Sequence, residues 1–319
     1  MNLCITGSLG HIGSQLIRNL SIPDLKTVYL VDNLSTQRYV SLFDLPDGID
    51  FIFYPMDIQA DGMRDIVKKC DVLIHLAAVT DAEKSFERQD VVEEVNKKGI
   101  EYVAGLCADT GCALLFPSST SVYGSQDDVV DENCPAAELK PQSPYAESKI
   151  FAENLLGELA RTKRLKYVIL RIGTIFGCSI GMRFHTAVNK FIWQAAIGQP
   201  LTVWSTALHQ KRPYCDLEDC VRAMNFFSAN RRFDNQVYNI VTDNFTVQNI
   251  IDVIKRYVPG VRISFVDSPI MNQLSYQVSN RKSIGLGLAY FGDLETGIVA
   301  SLKKLKNINA EVEKIGLKC

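Results

Sequence analysis

The sequence lacks the features of several large protein classes. Its net charge of −2 leaves no excess of Lys and Arg, so it has no basic signature of a nucleic-acid-binding domain. No apolar run is long enough to span a bilayer, and Gly7 comes too early for the hydrophobic core of a signal peptide. We therefore expect a cytoplasmic protein with no membrane or nucleic-acid partner.

Patterns typical of metal sites and disulfide frameworks are also missing. The nine cysteines are scattered, odd in number and without a Cys-x-x-Cys pair, and the four histidines show no ligand spacing. We expect reduced thiols and no metal. What the chain does have is an ordinary globular balance, with 47% hydrophobic and 22% charged residues over 319 positions. This is enough for one large α/β unit or two domains.

A glycine-rich turn lies near the start of the chain. The apolar segment Asn2–Thr6 predicts a strand, and a helical apolar pattern follows the turn. The turn itself is a Gly-x-x-Gly-x-x-Gly formed by Gly7, Gly10 and Gly13. Such a turn lets the backbone approach a pyrophosphate and aims a helix N-terminus at it. The context of strand before and helix after favours a dinucleotide site over an ordinary tight turn.

Asp32 supports the same interpretation. It ends the next predicted strand, 19 residues after Gly13, near the spacing of a carboxylate that binds an adenosine ribose. A carboxylate there repels a 2′-phosphate and favours NAD. Arg38 keeps NADP open, because a nearby arginine can accept a 2′-phosphate.

Strands and helices alternate through the first half. The predicted strands after Asn2–Thr6 cover 27–31, 51–54, 71–78, 113–116 and 166–172, with a helix over 91–107. The run 71–78 is continuously apolar, as in a parallel sheet buried on both faces, and His75 is expected to be packed in it. The pattern predicts an α/β fold, a Rossmann-type doubly wound parallel sheet. We expect a smaller, interleaved α/β substrate domain beside it.

The expected domain limits follow from where the alternation loosens. Residues 1–175 are predicted to form the NAD-binding domain, with later returns near 213–243, and 176–212 and 244–319 the smaller region. Within it we expect helices over 186–196, 217–227 and 245–257, and a charged tail over 303–318. Asp216 and Asp219 are predicted to cap the helix over 217–227.

The segment Pro144–Lys149 holds a candidate proton-transfer pair. The segment is predicted to begin a helix, which Ser143 can cap, and Pro144 suits the first helical position. Tyr145 and Lys149 lie four residues apart on one helix face. An ammonium roughly 6 Å from a phenol, at an effective dielectric near 20, favours phenolate by about 3 kcal/mol, or about two pKa units. We expect Lys149 to bring the pKa of Tyr145 near the operating pH, where a general base works best.

Taken together, these motifs resemble the extended short-chain dehydrogenase/reductase family, in the branch of NAD-dependent nucleotide-sugar epimerases and dehydratases. The matching residues are Gly7, Gly10 and Gly13, 32–35, 75–78, Asn96, 118–119, 122–124, Tyr145, Lys149, 170–171, Gly177, 212–214, Asp216, Asp219 and 238–240. The likeness spans nearly the whole chain. It is highly specific for the family and less so for the reaction.

The resemblance implies a role for each of these positions. The catalytic set is Ser119, Tyr145 and Lys149. The cofactor-binding set is Gly7, Gly10, His11, Ile12, Gly13, Asp32, Asn33, Ser35, Asp57, Ile58, Leu76, Ala77, Ala78, Asn96, Tyr145 and Lys149. The substrate-binding set is Thr80, Ser119, Thr120, Thr174 and Arg212, for a nucleotide-diphosphate sugar. The family also implies a homodimer in which the helices over 91–107 and 145–159 pair.

The departures from the family pattern bear on the reaction. The 4,6-dehydratases carry Asp-Glu after the catalytic hydroxyl residue, where this chain has Thr120 and Ser121; the decarboxylases carry a Glu at the second of these positions. A C4 epimerase acting through a transient keto sugar fits better. Thr174 replaces a usual Asn, and Cys178 a usual Pro, so we do not expect the pocket of the common galactose epimerase. A dehydrogenase or reductase, a 4,6-dehydratase and a non-catalytic NAD-binding protein stay as alternatives.

Overall fold

The computed structural model describes residues 1–126, 128–267 and 275–308. The strands are β1 (Asn2–Thr6), β2 (Thr27–Asp32), β3 (Asp50–Pro55), β4 (Val72–His75), β5 (Ala113–Ser119), β6 (Val129–Val130), β7 (Tyr167–Ile172), β8 (Thr174–Phe176), β9 (Leu201–Trp204), β10 (Lys211–Asp216), β11 (Val237–Ile240), β12 (Asp243–Thr246), β13 (Ile263–Val266) and β14 (Gln277–Val278). The α-helices are α1 (His11–Leu16), α2 (Met63–Val67), α3 (Gln89–Val92), α4 (Gly99–Thr110), α5 (Pro144–Lys163), α6 (Ala187–Ala196), α7 (Leu217–Ala229), α8 (Val247–Tyr257), α9 (Arg281–Ile284) and α10 (Leu294–Leu305). Short 3₁₀ turns cover Tyr39–Leu42, Lys84–Phe86, Thr120–Tyr123, Ala136–Glu138 and Ser205–Ala207, and a π-helical segment covers Glu93–Lys98.

The apolar strands of the first half pair side by side in parallel. Together with β11 they form a seven-stranded sheet in the order β11-β7-β5-β4-β1-β2-β3. One apolar cluster packs α1 and α7 on one face, and a second packs α2, α4 and α5 on the other. Because the sheet is buried on both faces, the sequences of these strands are continuously apolar. The predicted Rossmann-type doubly wound sheet is confirmed.

The second half adds smaller sheets beside the large one. Their strand orders are β12-β10-β8, β13-β9 and β14-β6. A third apolar cluster joins α6, α8 and α10 to β9 and β10. Of the strands that the structure describes in the second half, β11 alone enters the large sheet, next to β7. The end of the predicted tail, 309–318, lies outside the described residues, and so does Cys319.

Several predicted boundaries shift for visible reasons. The strand over 71–78 ends at His75, because the chain then turns over the glycine-rich turn, where Leu76 N–H donates to Thr6 O at 3.0 Å. His75 is packed as predicted, with Nδ1 2.8 Å from the Thr6 hydroxyl. The helix over 91–107 is a longer helical run, interrupted by the π-helical segment Glu93–Lys98.

One helix start and one predicted helix cap differ from their predictions. The helix over 245–257 begins two residues later, because its first two residues belong to β12 and Thr246 forms a capping box with Asn249. Asp216 caps α7 as predicted, accepting from Glu218 N–H at 2.8 Å. The prediction that Asp219 also caps is wrong. Its buried carboxylate lies inside α7 and accepts N–H hydrogen bonds from Phe291 and Gly292, each at 2.9 Å.

Neither disulfides nor candidate membrane spans occur within the described ranges. The cysteines at 4, 70, 107, 112, 134, 178, 215 and 220 are free, as predicted. In the part of the chain that the structure describes, no helix is both long enough and apolar enough to cross a bilayer.

Candidate active site

The helix that carries Tyr145 and Lys149 begins as the sequence predicts. The hydroxyl of Ser143 accepts a hydrogen bond from Ala146 N–H at 3.1 Å, and Pro144 takes the first helical position. Lys149 is buried, and its Nζ donates to Pro117 O at 2.9 Å. The same Nζ lies 5.6 Å from the centre of the Tyr145 ring. The phenol and the ammonium therefore share one helix face at the end of β5.

Ser119 joins this pair from the strand side. It is the last residue of β5, and its hydroxyl accepts hydrogen bonds from Ser121 N–H at 3.2 Å and Ser121 Oγ at 2.9 Å. Ser119 also hydrogen-bonds the Tyr145 hydroxyl. The structure thus brings all three predicted catalytic residues together at the carboxyl edge of the sheet, where open α/β sheets bind ligands.

The predicted effect of Lys149 on Tyr145 is not what the structure gives. Burial raises the pKa of Tyr145, and what opposes the rise is the Ser119 hydrogen bond and the positive charge of Arg183. Burial also lowers the pKa of Lys149 to about 8, against the opposing charge of Glu153. The ammonium is turned to the Pro117 carbonyl, which explains why its effect on the phenol is weaker than a bare charge pair would give.

The glycine-rich turn has the geometry that its spacing predicts. Gly7 has φ +62°, and a Cβ on it would lie 2.6 Å from Ala77 N. A Cβ on Gly13 would lie 2.4 Å from Ser8 O. Gly10 is the residue before α1. Gly7 is therefore packed too closely against the chain after β4 to accept a side chain, and Gly13 too closely against the backbone of the turn itself.

Asp32 lies beside this turn at the end of β2. Its carboxylate accepts Leu9 N–H at 3.1 Å and Leu34 N–H at 2.9 Å. Arg38 is close by, and the charge of Asp32 opposes the lowering of the Arg38 pKa by burial. A carboxylate held at this place suits a ribose with a free 2′-hydroxyl. The residues present thus fit NAD, with the arginine already balanced by Asp32.

The other cofactor candidates line the same edge. Asn33 donates to Asp57 at 3.0 Å and accepts Ser35 N–H at 3.1 Å, which ties the ends of β2 and β3. Ile58 is buried against Gly99. Leu76, Ala77 and Ala78 follow β4.

Asn96 has a structural task that its motif does not reveal. Its amide exchanges two hydrogen bonds with Val79, at 2.8 and 2.9 Å, and donates to Ser148 Oγ at 3.1 Å. It lies in the π-helical segment, a kind of distortion that is frequent at functional sites. Asn96 thereby joins the chain after β4 to the helix of Tyr145.

His11 and Ile12 lie at the start of α1. Ile12 packs on the core beneath the turn. His11 is buried with Nδ1 2.7 Å from Ser179 Oγ, and burial together with the positive charge of Arg183 lowers its pKa to about 3. His11 is therefore neutral, and it connects the glycine-rich turn to the loop before α6.

The predicted substrate residues come from scattered elements. Thr120 is buried, with Oγ1 3.4 Å from Ile172 O, and hydrogen-bonds Tyr276. Thr174 begins β8 and pairs with Tyr214 of β10. Arg212, also in β10, has its Cζ 6.0 Å from the centre of the Trp204 ring. Ser119 is the only one of the five in direct contact with Tyr145 among the contacts of the described residues.

Thr80 leads to a residue that the sequence analysis missed. Its hydroxyl accepts a 2.7 Å hydrogen bond from Arg183 Nη1. Arg183 is half-buried, and its charge acts on Tyr145. Burial lowers the pKa of Arg183, and the charge of Asp81 opposes this. Tyr276 was missed as well; it is buried between Thr120 and Arg212. No spacing marks either residue, because each comes from a segment far in sequence from the motifs.

A second missed feature lies behind Lys149. Glu153 and Arg171 form a buried ion pair with a 2.6 Å contact. The signs in the sequence were Arg171, which belongs to the family likeness, and the spacing of Glu153, four after Lys149.

Comparison with protein families gives one extended match. The model described as the NAD dependent epimerase/dehydratase family matches residues 3–241.

Curated relatives of this chain carry several activities. A trifunctional UDP-glucose 4,6-dehydratase/UDP-4-keto-6-deoxy-D-glucose 3,5-epimerase/UDP-4-keto-L-rhamnose-reductase of Arabidopsis thaliana is 28% identical over 93% of this chain. The chain spans 46% of that protein's length, about half. A putative UDP-glucose 4-epimerase of Methanocaldococcus jannaschii is 26% identical, over 96% of this chain and 99% of that protein.

Solved structures share the fold. The UDP-glucuronic acid 4-epimerase of Bacillus cereus, in complex with UDP-glucuronic acid and NAD, superposes with a TM-score of 0.87 at 23% identity, over 96% of this chain and 99% of that one. The UDP-glucose 4-epimerase of Thermus thermophilus in complex with NAD gives a TM-score of 0.83 at 23% identity, over 96% and 99% of the two chains. At this identity the likeness shows the fold.

Proposed function

Because the chain belongs to the NAD-dependent epimerase/dehydratase family, we propose that it inverts C4 of a nucleotide-diphosphate sugar through a transient ketone. That it is an NAD-dependent enzyme follows from the family. The single observation that carries the choice of reaction is the pair of residues after Ser119. Thr120 is buried, and its hydroxyl donates to Ile172 O. The Ser121 hydroxyl donates to the Ser119 hydroxyl. Neither is a carboxylate that could protonate a leaving hydroxyl, as a dehydration requires.

The roles of the chain's residues follow from their positions. Bound NAD would supply the hydride acceptor. Tyr145 takes the proton of the C4 hydroxyl and returns it after the ketone has turned. Ser119 hydrogen-bonds the reacting oxygen, and the Lys149 ammonium, on the same helix face as Tyr145, adds a weaker stabilisation of the phenolate. Because the same face of the cofactor serves both directions, the ketone must turn in the pocket, and the sum of the two steps leaves NAD unchanged.

The substrate side is proposed from the relatives and from two arginines. The relatives named above act on UDP-sugars, so we take UDP as the nucleotide. We assign Arg212 of β10 to the diphosphate, since a guanidinium matches phosphate in a fork. Arg183 brings a cation beside Tyr145. A sugar with a carboxylate at C6 would balance that charge, as in the UDP-glucuronic acid bound by the Bacillus cereus protein.

We also propose how the chain divides the work. Residues 1–175, with returns near 213–243, hold the cofactor, and 176–212 with 244–319 hold the sugar. The pairing of the α4 and α5 helices of two chains would give a homodimer. Light scattering at micromolar concentration would show a mass near 71 kDa, twice the 35.6 kDa of one chain; a monomer would reject the dimer.

The proposed reaction is tested by product analysis. Purified protein is incubated with NAD and, separately, UDP-glucose, UDP-galactose, UDP-glucuronic acid and a set of GDP-, dTDP- and CDP-sugars. Absorbance of reduced cofactor and the sugar ring protons in NMR spectra are followed together. A C4 epimer without accumulating NADH supports the proposal. Stoichiometric NADH with a released keto sugar would make the protein a dehydrogenase, and a 4-keto-6-deoxy sugar a dehydratase.

A further inference from the structure

A buried ion pair lies one helical turn from Lys149. Glu153 accepts hydrogen bonds from Arg171 Nε at 3.0 Å and Arg171 Nη2 at 2.6 Å, so the pair is bidentate. The side chains of Arg171 and Glu153 are only 6% and 9% exposed. Ser118 donates its hydroxyl to the same carboxylate at 2.5 Å. Three elements, β5, β7 and α5, thus meet at one carboxylate.

The strand side of this contact is a row of register neighbours. Ser118 of β5 pairs with Arg171 of β7, which pairs with Asn239 of β11. Side chains at matched positions of neighbouring strands share a face of the sheet. Arg171 Cζ lies 4.8 Å from the centre of the Tyr123 ring, and the Tyr123 hydroxyl donates to Asn239 at 2.9 Å. The Arg171 guanidinium is therefore also held in place by contacts other than its ion pair with Glu153.

The helix side matches three consecutive strand residues. Lys149 donates to Pro117 O, and Glu153 accepts from Ser118. The next strand residue is Ser119, which hydrogen-bonds Tyr145. Any slide or rotation of α5 against β5 would disturb all of these contacts at once. The bidentate contact of Glu153 is the one best able to resist it, because it is buried and charged.

We propose that Glu153 is a positioning residue: with Arg171 and Ser118 it fixes the Tyr145–Lys149 helix face against Ser119 and supplies the charge that keeps Lys149 an ammonium. The proposal rests on the roles given above to Tyr145 and Lys149.

The charged groups around Lys149 determine in which direction Glu153 shifts the pKa of Lys149. Tyr145 and Glu153 face Lys149 from its own helix, His75 from β4, and Arg171 lies behind Glu153 on β7. His75 is neutral, since burial lowers its pKa to about 3. Burial lowers the pKa of Lys149 to about 8, and Glu153 opposes this. Without the carboxylate, the uncompensated Arg171 would lower the Lys149 pKa further.

The first test reads the lysine directly. Protein labelled with ¹³C at the lysine ε-carbons is titrated in NMR spectra, and Lys149→Arg assigns the resonance of Lys149. We expect wild type to titrate near pH 8 and Glu153→Gln at lower pH. Glu158→Gln, an exposed glutamate on the same helix, is the matched control and should titrate as wild type. An unshifted Lys149 titration in folded Glu153→Gln would overturn the proposed charge role.

Removing one member of a buried pair can prevent folding, so a second variant is needed. Glu153→Gln/Arg171→Gln removes both charges, and the Gln at 153 keeps the shape of the glutamate. Because the charge of Glu153 opposes the lowering of the Lys149 pKa by burial, the double variant should also titrate below wild type, by a smaller shift than Glu153→Gln. Wild-type titration in the double variant would overturn the charge role even where the single variant does not fold.

The second test reads geometry. We expect kcat of Glu153→Gln to fall about 10²-fold, as for a misplacement of about an ångström, with the alkaline limb of the pH profile moved to lower pH. Ser118→Ala changes no charge, so it should lower kcat and leave the alkaline limb of the pH profile at the same pH as in wild type. Full turnover in folded Glu153→Gln would overturn the positioning role. A wild-type protein without epimerase activity would reject the proposed function alone, because the lysine titration needs no substrate.

Discussion

The proposed cofactor half and the proposed sugar half of the site are built in different ways. The cofactor half consists of the glycine-rich turn, Asp32 and the chain after β4, and its contacts are mostly with backbone: Leu9 N–H to Asp32, and Gly7 against Ala77. The sugar half consists of side chains from distant segments, among them Thr80, Arg183 and Tyr276. Backbone geometry restricts a few positions to fixed residue types. Converging side chains can be exchanged freely, which is how one fold can serve many sugars.

The largest expected effect comes where the two halves meet. Tyr145→Phe removes the hydroxyl that exchanges a proton with substrate, and we expect turnover to fall about 10³-fold. Binding of NAD, followed by calorimetry, should change little, since the ring is kept. Tyr39→Phe, an exposed tyrosine, is the control. A Tyr145→Phe enzyme that keeps its turnover would separate catalysis from both halves and point to a non-catalytic NAD-binding protein.

A glycine substitution tests whether the cofactor half really depends on backbone geometry. Gly7→Ala puts a Cβ 2.6 Å from Ala77 N, on a residue whose φ is +62°. We expect the free energy of unfolding to fall by about 2 to 5 kcal/mol. We also expect the affinity for NAD to fall. Gly105→Ala is the matched control. It lies in α4 with open space around its Cβ, so it should stabilise by about 0.5 to 1 kcal/mol. Urea unfolding of both variants checks this, and equal stability of the two would refute the argument.

Arg183 tests the sugar half. We expect Arg183→Gln to raise KM for a UDP-hexuronic acid about 10- to 100-fold, the loss of one charge-assisted hydrogen bond, and to change KM for a neutral UDP-hexose much less. The Kd for NAD should stay within about twofold, which a uniform electrostatic effect would not allow. Arg161→Gln, on the exposed end of α5, is the control. If Arg183→Gln instead weakened NAD binding selectively, Arg183 would belong to the cofactor half of the site and not to the sugar half.

The smallest effect is expected at Asp32. Asp32→Asn keeps one acceptor for Leu9 or Leu34 N–H and loses the charge that holds a ribose. We expect the Kd for NAD to rise about tenfold and the preference over NADP to shrink. Calorimetric titration with both cofactors measures this. An unchanged ratio of the two affinities would mean that Arg38, and not Asp32, sets the cofactor choice.

The same contrast explains what the sequence could predict. Tyr145, Lys149 and the glycine spacing were readable because helix periodicity and a positive φ leave few alternatives. Arg183 and Tyr276 were not readable, since they reach the site through the packing of segments far apart in the chain. Asp219 shows the remaining difficulty. Its position at a helix start suggests a cap, whereas its carboxylate is needed by the N–H groups of 291 and 292, which only the folded chain brings there.

The measurement that tests the central claim most directly follows one hydrogen atom. The UDP-sugar that turns over is prepared with deuterium at C4 and converted to its epimer in ordinary water. An oxidation and re-reduction in one pocket predicts that the deuterium stays at C4 of the product and that no solvent hydrogen enters C4 or C5 in NMR spectra. Loss of the label from C4, or exchange at C5, would contradict the account, because inversion would then proceed by a released ketone or by proton abstraction beside a carbonyl.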